Sequence, residues 1–181
     1  MDFKKIIKIA ICLMLIAGIS GALIVAVDKL TAPIIEENNI NQENKALQEI
    51  YSNADFKIVE ENVSKSIVKV SAALENGILK GYVYRLSGKN AYGVISLLVG
   101  INKDGTIEKV VFLENGQSFA SKVTSHVDNT YQNGLVNSSN ISDVDTKCGA
   151  TYGAKLVKSL ITDAINHFDG GLEEWKTRLL E

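Results

Sequence analysis

A chain of 181 residues, 46% of them hydrophobic and 22% charged, has room for one membrane anchor and one compact domain but not for a second large core. A formal net charge of −2 argues against a nucleic-acid partner, which needs a basic surface. Cys12 lies in an apolar run and Cys148 in a distant glycine-rich motif, which argues against a disulfide framework or a zinc knuckle.

An uncharged run extends over residues 9–27. A helix rises about 1.5 Å per residue, so this run reaches the thickness of a bilayer's hydrocarbon core. A cleaved signal peptide is the alternative, but its apolar region usually covers only about 7 to 15 residues. We therefore expect an uncleaved transmembrane helix over 9–27, in which Cys12 is a membrane-buried residue.

Charges on either side of this span predict its orientation. The preceding side carries Lys4, Lys5 and Lys8, and the following side carries Asp28, Lys29, Glu36 and Glu37. The positive-inside rule then places residues 1–8 in the cytoplasm and everything after the span outside it. Within the span, a patch of small residues fits either the approach of another membrane helix or an ordinary lipid-facing surface. This patch consists of Gly18, Ser20, Gly21 and Ala22.

Residues 28–54 are expected to form a stalk helix or linker. After Pro33, the only proline, the polar stretch from Ile34 to Tyr51 has few apolar positions and fits an amphipathic helix that leads away from the membrane. Its asparagines lower its helix propensity. Residues 55–181 are expected to form the extracytoplasmic domain.

The first half of this domain has the pattern of an antiparallel meander. Strands are predicted at Ser66–Leu74, Ile78–Leu86, Tyr92–Ile101 and Thr106–Leu113. Turns are predicted at Asn76-Gly77, Gly88-Lys89-Asn90 and Asp104-Gly105, because these residues accept positive φ. Tyr82, Tyr84 and Tyr92 alternate along strands, a spacing typical of core or sheet-face residues.

The second half is predicted to be helical and irregular. A short helix is expected over Ser118–Asp128, followed by a loop over Asn129–Ser142. An apolar stripe that ends at Phe168 predicts a long last helix from about Ala150, terminated by Gly170-Gly171. The predicted fold class is α+β: an N-terminal transmembrane helix, then an antiparallel sheet with packed helices.

The distinctive segment is Asp145-Thr146-Lys147-Cys148-Gly149-Ala150-Thr151, where a loop enters the last helix. Free amides at a helix N-terminus bind phosphate, and the helix dipole favours an anion by about 0.3 to 1 kcal/mol. Gly149 permits close approach, Thr151 adds a hydroxyl, and Lys147 and Lys155 add positive charge. An ordinary helix start with Thr151 as its N-cap fits the same residues.

This segment resembles the flavinylation motif of the FMN-binding domain family, Asp-x-x-Ser/Thr-Gly-Ala-Thr. The resemblance implies that a flavin transferase uses FAD to attach FMN to Thr151 through a phosphoester. Asp145, Gly149 and Ala150 match the motif, whereas Cys148 replaces the usual Ser or Thr with a side chain of similar shape. FMN bound covalently to Thr151 is therefore the expected cofactor.

The resemblance covers nearly the whole chain and is greatest to the RnfG subunits of the Rnf ion-translocating electron-transport complexes. The related subunit of the sodium-pumping NADH:quinone reductase is less similar. Matching segments in the expected order are Thr31-Ala32-Pro33-Ile34, Ile50-Tyr51, Gly81-Tyr82-Val83-Tyr84, Leu97-Leu98-Val99-Gly100-Ile101 and Asp104-Gly105. This resemblance implies an electron relay between ferredoxin and NAD in a membrane complex that moves sodium or protons. The expected partners are the other membrane subunits of that complex and the flavin transferase.

One loop departs from the family pattern. Where Glu-Thr-Pro-Gly-Leu-Gly is usual after the last meander strand, this chain has Glu114-Asn115-Gly116-Gln117-Ser118-Phe119-Ala120-Ser121-Lys122. Only Gln117-Ser118 can replace the Glu-Thr pair. Ser118 and Lys122 are candidate flavin contacts, and a solvated loop is the alternative.

Other functional interpretations have less support. His126 and His167 have no Cys, Asp or Glu at metal-ligand spacing, and no nucleophile-elbow pattern accompanies them. Asp143 and Asp145 resemble the start of a calcium loop, but Lys147 and Cys148 occupy positions of an oxygen ligand and the turn glycine. Two alternatives stay open: a stand-alone anchored flavoprotein for extracellular electron transfer, and a cofactor-free extracytoplasmic binding or scaffolding module.

Overall fold

The computed structural model describes residues 3–178, with side chains as far as Gly171. The elements in chain order are α1 (Phe3–Ile50), β1 (Asp55–Glu61), β2 (Ile67–Glu75), β3 (Ile78–Asn90), β4 (Gly93–Asn102), β5 (Ile107–Asn115), α2 (Ala120–Thr130) and α3 (Thr151–Arg178). A short 3₁₀ helix, Ile141–Asp143, precedes α3. The N-terminal helix, the antiparallel sheet and the further helices confirm the α+β class.

The first helix is continuous and includes Pro33. It contains a window of mean hydropathy 2.7, long and apolar enough to cross a membrane, and the residues of that window are exposed. It therefore fits a single-pass membrane anchor. Neither the asparagines after Pro33 nor the proline itself ends the helix, so the predicted span and the predicted stalk belong to one element.

The chain divides into two compact units between Gln42 and Glu43, so the second unit includes the last two turns of α1. In that unit, Ala46, Leu47 and Ile50 pack against Val83 and Leu98 on one face of the sheet. The stalk predicted over residues 28–54 included these turns, and the domain was expected to begin at residue 55. Their burial shows that the sheet needs this helix end to cover its apolar face.

A buried carboxylate fixes the helix end to the sheet. The Glu43 side chain, 10% exposed, pairs with Lys69 on β2 and lies 2.6 Å from Arg85 Nη1 on β3. Tyr51, just after the helix, donates a 2.9 Å hydrogen bond to Asn102 Oδ1. Burial and the nearby charge of Glu108 raise the pKa of Tyr51, so its hydroxyl stays protonated as that donor.

Replacing Glu43 by glutamine is expected to lower the free energy of unfolding by about 1.5 to 3 kcal/mol, because Lys69 and Arg85 would lose their shared counter-ion. The measurement is urea unfolding of the detergent-extracted full chain followed by circular dichroism. Glu49→Gln is the matched control on the same helix. Its 2.8 Å pair with Lys109 joins two side chains that are 54% and 36% exposed, so a loss of about 0 to 1 kcal/mol is expected. Equal losses in both variants would contradict the conclusion that Glu43 fixes the end of α1 to the sheet.

The five strands form an antiparallel meander in the order β1-β2-β3-β4-β5. Four of them match the predicted strands, and β1 adds an edge strand ahead of these. The predicted turn at Gly88-Lys89-Asn90 is wrong, because β3 continues to Asn90 and the chain turns at Ala91 and Tyr92. Asn90 sets this later position by accepting a 2.8 Å hydrogen bond from the Tyr92 amide.

Helices α2 and α3 cover the face of the sheet opposite the end of α1. Tyr82, Tyr84 and Leu86 of β3 point into this core, whereas Val83 between them faces α1, as a strand's period of two requires. The core assignment therefore holds for Tyr82 and Tyr84, while Tyr92 is 48% exposed.

The predicted end of the last helix at Gly170-Gly171 is wrong, because α3 continues to Arg178. Glycine in a helix costs roughly 1 kcal/mol relative to alanine, but it does not by itself break the hydrogen-bond ladder. The predicted short helix is present and begins at Ala120.

Candidate functional site

The loop that leads into α3 is held in place by a lysine of α3 itself. Lys158 Nζ donates to the carbonyl oxygens of Ser142 at 2.7 Å and Val144 at 2.9 Å. Ile141, one residue before this pair, is buried. The start of the seven-residue motif that follows is therefore anchored to α3, the helix into which the motif leads.

Two tight turns shape the motif. The Lys147 amide donates to Asp145 Oδ1 at 3.0 Å, and the Cys148 amide donates to the Thr146 carbonyl at 3.1 Å. Gly149 then adopts a φ of +76°, which side chains disfavour. A Cβ at Gly149 would lie 3.2 Å from Lys122 Nζ, so this glycine leaves room for an ammonium group from α2.

Thr151 is the first residue of α3, not its N-cap. The ladder begins with the 3.1 Å bond from the Ala154 amide to the Ala150 carbonyl, which makes Ala150 the N-cap. The capping alternative for Thr151 is therefore wrong. Among residues 3–178, its hydroxyl forms no hydrogen bond. The amides of Thr151, Tyr152 and Gly153 precede the ladder and remain available to a ligand.

These groups border a cleft of about 300 Å³. Its lining consists of Tyr92, Gln117, Ser118, Phe119, Val123, Gly149, Ala150, Thr151, Tyr152 and Gly153. The start of α2 also reaches this cleft, because a Cβ at Gly153 would lie 2.6 Å from Val123 Cγ2. Residues at the start of α2 and at the start of α3 therefore line the same cleft.

A reciprocal amide pair joins the strands to this cleft. Asn90 Nδ2 donates to Gln117 Oε1 and Gln117 Nε2 donates to Asn90 Oδ1, both at 3.1 Å. Gln117, which is 7% exposed, also donates to the Gly93 carbonyl at 2.8 Å, and Asn90 donates to the Tyr152 carbonyl at 3.3 Å. The β3–β4 turn, the loop after β5 and the start of α3 are therefore held together.

A second, shallower cleft lies beside the first, and Lys122 and Cys148 line it. Lys122 Nζ also lies 5.3 Å from the centroid of the Phe119 ring, a cation–π contact that holds a positive charge between the two clefts. Cys148 is a free thiol of intermediate exposure.

The structure thus brings together four of the residues singled out from the sequence, namely Gly149, Ala150, Thr151 and Ser118. Cys148 and Lys122 lie in the neighbouring cleft, whereas Asp145 and Lys147 line neither and instead form the turn described above.

The aromatic and amide lining of the first cleft was not predicted from the sequence. Tyr92 was expected in the core or on a sheet face, and Phe119, Tyr152 and Gln117 were not candidates. Two of these residues could have been proposed from their neighbours in the sequence, because Tyr152 follows Thr151 and Phe119 follows Ser118.

Comparison with known proteins matches two separate parts of the chain. Residues 1–50 match the RnfG N-terminal region, and residues 91–166 match the FMN-binding domain. The second match contains every residue of the 300 Å³ cleft.

One similar protein is the G subunit of the Na(+)-translocating ferredoxin:NAD(+) oxidoreductase complex of Acetobacterium woodii. It is 25% identical over 131 residues, which cover 65% of this chain and 63% of the relative. The alignment therefore spans less than two thirds of that protein. An RnfG N-terminal region followed by an FMN-binding domain, together with this relative, supports the resemblance of the chain to the RnfG subunits of Rnf complexes.

Proposed function

We propose that this chain is an electron-relay subunit of a membrane Rnf complex and carries FMN as a phosphoester of Thr151. The observation that carries the proposal is the unengaged Thr151 hydroxyl at the first position of α3, bordering a cleft within the FMN-binding domain. Because Ala150 and not Thr151 is the N-cap, this hydroxyl has no capping role and stays available for attachment.

The phosphate fits the groups around Thr151. The free amides of Tyr152 and Gly153 and the dipole of α3 favour a negative charge at this point. Gly149 lets the Lys122 ammonium approach the same turn, and Lys155 is exposed at the beginning of the second turn of α3. These groups offset the charge that a phosphodiester keeps at neutral pH.

Attachment by a flavin transferase would follow simple phosphoryl-transfer chemistry with FAD as the donor. The Thr151 oxygen forms a bond to the phosphorus on the flavin side, and the pyrophosphate P–O bond breaks. AMP leaves with that bridging oxygen, and the hydroxyl proton is released. No oxidant is needed, because the flavin keeps its oxidation state.

Bound FMN supplies the one- and two-electron redox chemistry of the site, and the protein determines its position and environment. A covalent tether suits a cofactor on the extracytoplasmic side of the membrane, where dissociated FMN would be lost. The charges around α1 support that orientation, with the N-terminus in the cytoplasm. Coupled movement of sodium or protons then belongs to the assembled complex, not to this chain alone.

Intact mass spectrometry of the full chain, extracted from its native membranes, tests the proposal. The expected mass exceeds that of the polypeptide by one FMN less one water, and the denatured band fluoresces under blue light. An unmodified mass, with no fluorescent band, would overturn it. Co-purification of other membrane subunits distinguishes a complex subunit from a stand-alone flavoprotein.

A further inference from the structure

Three aromatic side chains at the cleft are unusually exposed. Tyr92 is 48% exposed, Phe119 59% and Tyr152 65%, and all three border the same cleft as Thr151. Single exposed apolar side chains are ordinary, but a contiguous group on a concave surface is typical of a binding site. These rings therefore have a surface left for a partner.

The two tyrosines are arranged in advance of any ligand. Their ring centroids are 5.3 Å apart and their planes are tilted by 35°. One side chain fixes both backbones, because Asn90 accepts from the Tyr92 amide at 2.8 Å and donates to the Tyr152 carbonyl at 3.3 Å. Gln117 in turn holds Asn90. We call the Tyr92–Tyr152 pair the platform. Hydrogen bonds hold its backbone in place, and its rings are exposed.

We propose that the Tyr92–Tyr152 pair is the surface on which the isoalloxazine ring of the tethered flavin stacks. The inference rests on the proposed attachment at Thr151, which is adjacent to Tyr152 in the chain. A ribityl phosphate arm is flexible, so the tether by itself leaves the ring free to turn. A flat aromatic system gains contact area and offset stacking from the tyrosine rings.

This arrangement also assigns separate tasks to the two sides of the site. The amides at the start of α3 and Lys122 receive the phosphate end, and the tyrosines receive the ring. Ring stacking on a fixed platform sets the distance over which electrons pass to a neighbouring cofactor. A ring that turned freely on its arm would lie at many different distances from that cofactor. Electron transfer would then occur over a broad range of rates.

The test uses the full-length flavinylated chain, first confirmed by intact mass, and two substitutions at the exposed Tyr152. Tyr152→Leu removes the aromatic surface, so the ratio of stacked to free ring is expected to fall roughly two- to twelvefold. A ring stacked on tyrosine is quenched, so time-resolved fluorescence measures this change as a larger long-lived flavin emission with rapid local depolarisation. Tyr152→Phe keeps the surface, so the anisotropy decay is expected to stay slow. Its fluorescence lifetime should lengthen in part, because phenylalanine does not quench an excited flavin by electron transfer whereas Tyr92 still does.

Tyr51→Phe is the control, because Tyr51 packs on the opposite face of the sheet and should change neither signal. Wild-type flavin emission as long-lived and as rapidly depolarised as that of free FMN would overturn the platform, and so would an unchanged emission decay in Tyr152→Leu. A wild type without the FMN mass increment would overturn attachment and platform together. The mass measurement therefore separates failure of the proposed function from failure of this inference.

Discussion

Replacing Thr151 by alanine is expected to abolish covalent flavin completely while leaving the protein folded. The Thr151 hydroxyl makes no hydrogen bond among residues 3–178, and alanine is a better helix former than threonine. The free energy of unfolding of the unflavinylated chain should therefore change by no more than about 0.5 kcal/mol. Intact mass and in-gel fluorescence measure the modification, and circular dichroism measures the fold.

Thr146→Ala is the matched control, because Thr146 lies in the same loop and its role in the turn uses only its backbone carbonyl. This variant should keep the full FMN increment. Thr151→Ser retains a hydroxyl at the same position and should keep at least part of the modification. Flavin retained in Thr151→Ala would move the attachment to another residue and contradict the proposed function.

The meander could be predicted because its signals are local. Alternating apolar residues define each strand, and Asn76-Gly77 and Asp104-Gly105 supply the positive φ that its turns require, with 51° at Asn76, 78° at Gly77 and 81° at Gly105. The long apolar stripe of α3 is a local signal too. Strand pairing then follows from short connections between neighbouring strands.

Two of the three features that the sequence did not predict depend on residues that are distant in the chain. The turn after β3 falls later than Gly88-Lys89-Asn90 suggests, because Asn90 is held by Gln117 from the loop after β5. Gly170-Gly171 looked like a helix end, yet glycine only permits such an end. The burial of Leu47 could not be inferred either, because it depends on the apolar outer face of β3 and β4.

The candidate site likewise has one part that could be predicted from the sequence and one part that could not. The half proposed to bind the phosphate is contiguous in sequence, so the run from Gly149 to Thr151 could be recognised and placed at a helix start. The aromatic half comes from the turn after β3, the loop after β5 and α3, which the fold brings together. Tyr92 has the spacing of a sheet residue, and only the three-dimensional arrangement places it beside Tyr152.

Replacing Gly93 by alanine is expected to lower the free energy of unfolding by at least about 3 kcal/mol. Gly93 has a φ of +141°, and an added Cβ would lie only 2.1 Å from the carbonyl oxygen of Gly116. That oxygen belongs to backbone already held by the 2.8 Å bond from the Gly116 amide to the Val94 carbonyl, so it cannot move away cheaply. Urea unfolding of the full chain in detergent measures the change.

Gly77→Ala is the comparison that separates backbone strain from the clash. Gly77 also has a positive φ, +78°, but an added Cβ would meet nothing within 4 Å. Its expected loss is about 1 to 2 kcal/mol, the cost of a left-handed conformation alone. Because Gln117 bonds the Gly93 carbonyl, Gly93→Ala should also displace the loop that lines the cleft and lower flavin attachment, whereas Gly77→Ala should not. Equal losses of stability in the two variants, with flavin attachment intact in both, would show that the close approach of Gly93 to the Gly116 carbonyl does not hold the site together.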